Sequence, residues 1–129
     1  KFRIPIFFLD TSNPNFKGVS DKNLQQIDIL PSIIDYLNIK EKIVTFGKSY
    51  KSDKNFVVTY LDNIYNYIND DYYLAFDGTK TIGLYNIKND PMLNNLATKE
   101  VKIKAEMEKF IKAYIQTFNK RLIDNKLTI

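Results

Sequence analysis

The residue types that most often perform catalysis are scarce in this chain. The missing types limit the kinds of chemistry that it can perform. The 129 residues include no Cys and no His. Within the chain this excludes a disulfide framework and a thiolate site, and it removes the commonest general base and transition-metal ligand. Ser20, Ser32, Ser49 and Ser52 have no His partner, so a Ser-His-Asp triad cannot form here.

Carboxylates are the next candidates. Asp70, Asp71 and Asp77 could bind a hard cation, because such ions prefer clustered carboxylates. Their spacing is not that of a twelve-residue calcium loop, however, and Asp is common in turns, so we expect turn roles. Asp28 and Asp35 lie seven residues apart, and helix capping and a solvated helix face explain them. We therefore predict no catalytic, cofactor-binding or metal-binding residue in the chain.

Basic and aromatic residues point to two further kinds of site. Gly47-Lys48-Ser49 matches the last three residues of the phosphate-binding loop motif. That motif also needs a glycine at the position of Lys42, so we interpret Gly47-Lys48-Ser49 as a turn. Only Arg3 and Arg121 among the 19 basic residues are Arg, which disfavours nucleic-acid binding. An aromatic platform for glycan or peptide would use tyrosines, about half of which should lie in the core. They are Tyr65, Tyr67, Tyr72, Tyr73 and Tyr85.

The elements that position these residues follow from periodicity. A continuous apolar run, Arg3 to Leu9, predicts a strand covered on both faces. A helix is predicted from Asp28 or Leu30 to Leu37, with Asp28 at its N-cap or first turn and Asn38 as a left-handed stop. Leu30, Ile33, Ile34 and Leu37 share one apolar face of it.

The second half of the chain predicts a sheet and its cover. Four runs of β-branched and aromatic residues, separated by Asx- and Gly-rich turns, indicate an antiparallel meander. They are Phe56–Leu61, Ile64–Ile68, Tyr72–Phe76 and Thr81–Tyr85. A long amphipathic helix, Thr98 to Ile123 with Thr98 as its cap, would cover the sheet.

Length and composition fit one soluble globular domain. Hydrophobic residues make up 44% and the formal net charge is +4. No apolar run approaches the length of a membrane span. The chain begins with Lys rather than Met, and the strand at Arg3 to Leu9 lacks parallel neighbours, so we expect a piece of a longer protein.

Three stretches together resemble the C-terminal end of the sulfatases, and more closely the lipoteichoic-acid-synthase-like branch of the alkaline phosphatase superfamily. Arg3-Ile4-Pro5-Ile6-Phe7-Phe8 is similar to the Arg-x-Pro-apolar strand that follows the last metal-binding segment of that family. Asp28 to Leu37 resembles its Asp-Ile-x-Pro-Thr helix, with Ser32 for the Thr. Leu84 to Leu96 resembles its Leu-Tyr-Asp-Leu-x-x-Asp-Pro…Asn-Leu segment, with Asn86 for the first Asp.

The resemblance implies a metal-dependent hydrolase or transferase acting on sulfate or phosphate esters. It implies that the nucleophile and the ligands of a divalent cation (Mn, Mg or Ca) lie upstream of the Arg-x-Pro strand, so this fragment alone should be inactive. It also implies an extracytoplasmic parent enzyme, periplasmic or at the cell surface, tethered by upstream transmembrane helices. The partner expected is the upstream catalytic domain, with no nucleic acid.

We therefore predict an α+β fold in two parts. Residues 1–39 are expected to be the strand and helix at the C-terminal edge of a truncated α/β catalytic domain. Residues 40–129 are expected to form a four-stranded antiparallel sheet covered by the C-terminal helix. The alternative function is a stand-alone binding or oligomerisation module that uses an aromatic sheet face.

Overall fold

The computed structural model describes residues 4–90 and 92–128, and within them the predicted α+β class is confirmed. One 3-10 turn, Gln26–Asp28, leads into helix α1, Ile29–Tyr36. The remaining elements are β1 Phe56–Leu61, β2 Ile64–Asn69, β3 Tyr72–Phe76, β4 Thr81–Asn86 and helix α2 Val101–Ile123. All four predicted strands are present, two of them one residue longer than predicted.

The sheet is an antiparallel meander of order β1-β2-β3-β4. Its first turn places both Asp62 and Asn63 in the left-handed region, as a type I′ hairpin requires. The Asp77-Gly78 hairpin is confirmed: the Asp77 carboxylate accepts hydrogen bonds from the backbone N–H groups of Thr79 and Lys80, and Gly78 has φ 96°. Local turn chemistry therefore fixes the order of the strands.

Helix α2 covers one face of this sheet, as predicted. Met107 and Ile111 are its buried residues and pack with Leu74, Phe76 and Leu84. The predicted stripe is wider than the buried one, because Phe110, Phe118 and Leu122 are exposed. The helix begins three residues later than predicted. Its N-cap is Glu100 rather than Thr98, and no side chain caps it.

On each edge of the sheet, an amide side chain binds some of the backbone groups. On β1, the Gln25 side-chain oxygen accepts a hydrogen bond from Val58 N–H. On β4, Asn95 accepts from Leu84 N–H and donates to the Ile82 carbonyl, and Leu96 N–H donates to the Leu84 carbonyl. Because unpaired edge groups would otherwise offer a template for another strand, these contacts limit edge-to-edge association.

The N-terminal part of the chain packs differently from the rest. Within the described residues, every side chain of the hydrophobic core cluster comes from residues 56–115. The predicted strand does not form: residues 4–10 have no regular secondary structure, and Ile4, Phe7 and Leu9 are exposed. Arg3 lies outside the described residues. A strand at the margin of the sheet is therefore not what these residues form in this chain.

Helix α1 ends within one residue of the predicted boundary and is stopped by Asn38, which has φ 54°. Its orientation is the unexpected feature. The face that carries Pro31 and Ser32 is buried, whereas Leu30, Ile33 and Leu37 are 58%, 40% and 57% exposed. Three of the four residues of the predicted apolar stripe are therefore exposed, and only Ile34 is partly buried.

Candidate functional site

The most constrained polar site is built around Asp28 and Lys48. Their side chains form an ion pair with Nζ–Oδ2 of 2.7 Å and are only 2% and 5% exposed. Lys48 Nζ also donates to the carbonyls of Asn23 and Phe56, at 2.8 and 2.9 Å. Since an ammonium has three donors, all three are used within the protein. Lys48 is therefore a structural residue and has no donor left with which to bind a phosphate group.

The Asp28 carboxylate is equally well satisfied. Its Oδ1 accepts from Lys48 N–H at 2.7 Å, and its Oδ2 accepts from Gln25 N–H at 3.0 Å. Asp28 does occupy the N-cap position of α1, but its side chain makes no capping bond. In the preceding 3-10 turn, however, the Asp28 carboxylate accepts from the N–H of the N-cap residue Gln25, as in a capping box. The predicted capping role is therefore confirmed for that turn, and the same carboxylate also pairs with Lys48.

Gly47 shows why a glycine precedes this lysine. A Cβ atom on Gly47 would lie 2.3 Å from the Ile27 carbonyl oxygen and 2.9 Å from Asp28 Oδ1. Such distances are far inside van der Waals contact, so only glycine lets the loop approach the 3-10 turn closely enough to deliver Lys48. The sequence Gly-Lys-Ser is therefore explained by close packing, in agreement with its interpretation as a turn.

Serines and the second carboxylate of α1 complete this structural cluster. The buried Ser32 hydroxyl donates to the Asp28 carbonyl and accepts from Tyr50 N–H. Ser49 donates to Asp35, which also lies 3.7 Å from Lys51 Nζ on the surface. Asp35 thus lies on a solvated helix face as predicted, separate from Asp28.

A second polar cluster, which sequence reasoning missed, holds the N-terminal loop against α1. The Tyr36 hydroxyl donates to Asp10 Oδ2, and the Asn13 amide donates to the Tyr36 hydroxyl. Hydrogen bonds from Ser12 and Tyr36 lower the pKa of Asp10, and the bond to Asp10 raises the pKa of Tyr36. The Phe16 ring packs on the Tyr36 ring at 4.5 Å between centroids. The cluster anchors a loop.

The three acidic residues of the turns, Asp70, Asp71 and Asp77, have different partners. The Asp70 carboxylate accepts from the Asn55 amide, Asp71 lies 3.6 Å from Lys88 Nζ, and Asp77 bonds its own turn. Asp71 and Asp77 lie at opposite ends of β3. In the described residues, no three or more His, Cys, Asp or Glu side chains come together as a metal site.

In the third family-like stretch, Leu84 to Leu96, polar side chains accept hydrogen bonds from nearby backbone N–H groups. Asn86 accepts from the N–H groups of Lys88 and Asn89. Asp90 accepts from Met92 N–H at 3.1 Å and from Asn94 N–H at 2.7 Å. The predicted bond from Asp90 to the backbone two residues later is therefore present, whereas Pro91 lies outside the described residues. These polar side chains shape the connection between β4 and α2.

The five tyrosines of the predicted platform divide between the two faces of the sheet. Tyr65, Tyr67 and Tyr72 pack with the core beneath α2. Tyr73 and Tyr85 lie on the other face, with their rings stacked at 5.7 Å. The Tyr85 ring also lies over Gly83, where a Cβ would meet its hydroxyl at 2.5 Å. The expectation that about half of the set belongs to the core agrees with this division.

Comparisons of the chain with protein families, curated proteins and solved structures found no match. In the described part of the chain, neither helix combines the length and hydropathy needed to cross a bilayer.

Proposed function

We propose that this chain is the non-catalytic C-terminal part of a metal-dependent enzyme of the alkaline phosphatase superfamily, sulfatase-like or phosphoglycerol-transferase-like. The enzyme would act on sulfate or phosphate esters, with its nucleophile and divalent cation in an upstream, extracytoplasmic domain. The three family-like stretches support this assignment through their order and spacing. The role of residues 1–129 would then be to support that catalytic domain.

The observation that carries the proposal is the outward apolar face of α1. Leu30, Ile33 and Leu37 are exposed on a helix whose other face buries a satisfied ion pair. Exposed apolar residues concentrated on one element are typical of a surface covered by another domain. Ile4 and Phe7, in the stretch similar to the family's Arg-x-Pro strand, are exposed as well.

The family-like helix motif supports the same proposal. Its polar residues, Asp28 and Ser32, are buried within this chain and bonded to Lys48 and Tyr50. Three of its apolar residues, Leu30, Ile33 and Leu37, remain exposed. The polar residues of this motif therefore bond within this chain, whereas its exposed apolar residues would contact an upstream α/β domain. This is expected of a helix at the boundary between two domains.

Two observations test the proposal. The coding sequence upstream of Lys1 should contain an Asp-His pair shortly before the fragment and a Thr-containing nucleophile motif further back. Purified residues 1–129 should show no phosphodiesterase or sulfatase turnover with Mn²⁺ or Mg²⁺. Turnover by this fragment, or a start codon directly before Lys1, would overturn the assignment.

A pair of variants tests the domain contact itself. Ile33→Lys with Leu37→Lys should leave the melting temperature of residues 1–129 nearly unchanged, because both side chains are already exposed. In the longer polypeptide the same change should lower the yield of folded, active enzyme. Ile123→Lys is the matched control, since Ile123 is exposed at the end of α2. Equal losses from the control would count against a contact at α1.

The second candidate is a stand-alone binding module for glycan or peptide. It is favoured by the stacked pair Tyr73 and Tyr85 on the face opposite α2. A signal peptide or start codon immediately upstream of Lys1 would support this candidate over the enzyme.

A further inference from the structure

The face of the sheet opposite α2, the open face, carries two rows of side chains that cross all four strands. Side chains alternate between the two faces of a strand, so the residues on either side of a core residue point to the open face. The core residues of the four strands include Val58, Tyr67, Leu74 and Leu84. The first row is therefore Val57, Ile68, Tyr73 and Tyr85, and the second row is Thr59, Asn66, Ala75 and Gly83.

A glycine in the second row makes room for a tyrosine ring from the first. A Cβ atom on Gly83 would lie 2.5–2.7 Å from three atoms of the Tyr85 side chain, so this side chain lies directly over the glycine. The Tyr73 ring stacks on that of Tyr85, with centroids 5.7 Å apart and an interplanar angle of 19°. Both tyrosines remain partly exposed. The two rings therefore form one aromatic patch whose position depends on the small residue beneath it.

Polar groups of the second row lie beside this patch. The Asn66 side-chain oxygen accepts from the Tyr73 hydroxyl at 2.7 Å, and its amide nitrogen donates to the Ile64 carbonyl at 3.2 Å. These two bonds fix the orientation of the amide. A primary amide has two N–H groups and two oxygen lone pairs, so Asn66 keeps one donor and one acceptor site for a ligand. The next residue along the row, Thr59, is exposed and carries a hydroxyl.

The two rows contain no charged side chain, although Asp, Glu, Lys and Arg make up 26% of the chain. A charged ligand would therefore find no countercharge within these rows. The backbone groups of β2 and β3 are bonded to strands on both sides, so an extended peptide would find no backbone partners there. The open face instead suits a neutral ligand that combines an apolar surface with hydroxyl groups.

We propose that the open face binds a neutral carbohydrate. The C–H face of a sugar ring packs on the patch of Tyr73 and Tyr85, and its hydroxyl groups bond to Asn66 and Thr59. Aromatic side chains together with a few fixed polar groups are the usual lining of a site for a small ligand. The inference rests on the second candidate function, the binding module, and names the ligand class of that module.

The first test titrates residues 1–129 with cellohexaose and with maltohexaose, two neutral glucose oligomers of different linkage, and follows NMR chemical shifts. We expect saturable shifts at Tyr73, Tyr85 and Asn66 with at least one of the two, at a Kd on the order of 1 mM. Because neither partner surface is charged, added salt should leave the Kd nearly unchanged. Absence of such shifts with both oligomers would overturn the proposal.

Variants of the patch separate ring stacking from a general loss of structure. Tyr85→Ala should weaken binding by about tenfold, whereas Tyr85→Phe, which keeps the ring, should stay within about twofold. Gly83→Ala leaves every aromatic residue in place but displaces the Tyr85 ring, and should weaken binding by about fivefold. Circular dichroism melts verify that each variant is folded.

Tyr60→Ala is the matched control. Tyr60 is 59% exposed and contacts Tyr65, whose side chain packs with the core beneath α2. Its loss should leave carbohydrate binding unchanged. An effect equal to that of Tyr85→Ala, or full binding by both Tyr85→Ala and Gly83→Ala, would contradict a site on the open face.

An uncharged hexapeptide with one Tyr and blocked termini distinguishes failure of this inference from failure of the binding module. If the peptide shifts the open face and the sugars do not, the carbohydrate assignment is wrong and the module still binds a ligand. If neither the sugars nor the peptide binds, both the inference and the second candidate function are refuted. Binding of a sugar without the peptide supports both.

Discussion

Lys48 is the residue whose environment departs most from what its type suggests. Lysine is rarely fully buried, and moving an ammonium out of water is costly unless its charge and all its donors find partners. Here Asp28 supplies the charge, and the carbonyls of Asn23 and Phe56 supply the other acceptors. The pair connects the segment before α1 to β1, so it holds the N-terminal part of the chain against the sheet.

Replacing Lys48 by Met should therefore destabilise the protein by about 3–5 kcal/mol, because a buried carboxylate would lose its countercharge. Urea unfolding monitored by circular dichroism measures this loss. Lys51→Met is the matched control: Lys51 pairs with Asp35 on the surface, where such a pair is worth about 0–1 kcal/mol. Similar losses of stability in both variants would show that the buried Asp28–Lys48 ion pair stabilises the protein no more than a surface pair does.

At the scale of elements, the fold depends on how α2 is seated on the meander. The isolated sheet would expose one apolar face, and the helix covers it with a short segment of its length, centred on Met107 and Ile111. Residues 116–123 are all exposed, and there Phe118 packs on Phe46. The stability of the helix therefore comes mainly from its first half.

Ile111→Ala should cost about 2–5 kcal/mol, because Ile111 is fully buried and the vacated space cannot refill. Ile123→Ala on the same helix should change stability by less than about 0.5 kcal/mol, since that side chain is 82% exposed. Chemical denaturation of the two variants tests this gradient. A comparable loss at Ile123 would mean that the end of the helix makes a contact in solution that the fold of this chain does not contain.

At the scale of the whole molecule, the chain has one core and an attached arm. Residues 4–39 are held to the rest of the chain by polar contacts, chiefly those of Gln25 with Val58 and of Asp28 with Lys48, while many of their large apolar residues are exposed. An arm of this kind opens more readily than a packed core, because few apolar contacts oppose its release.

Native-state hydrogen exchange should reveal this difference. Amides of β2, β3 and the first half of α2 should exchange slowest and together, whereas amides of residues 4–24 should exchange orders of magnitude faster. In a longer polypeptide that includes a docked upstream domain, protection of α1 should rise. Equal protection of arm and core in residues 1–129 would contradict the division.

Local signals in the sequence determined the meander and the ends of its strands. Alternating aromatic and β-branched residues mark each strand, and Asp62-Asn63 and Asp77-Gly78 encode their turns within a few residues. Helix α2 ends at Ile123 as predicted, and Asn38 stops α1, for the same reason. Such features need no information from distant parts of the chain.

The tertiary structure alone decided what each surface faces. Periodicity predicts the apolar stripe of α1, but only packing shows that Leu30, Ile33 and Leu37 point outward. Asp28 and Lys48 are separated by 20 residues, and no local pattern pairs them. The same holds for Gln25 on the edge of β1. A sequence specifies which side chains share a face, whereas the partner of that face is set by contacts between residues far apart in the chain.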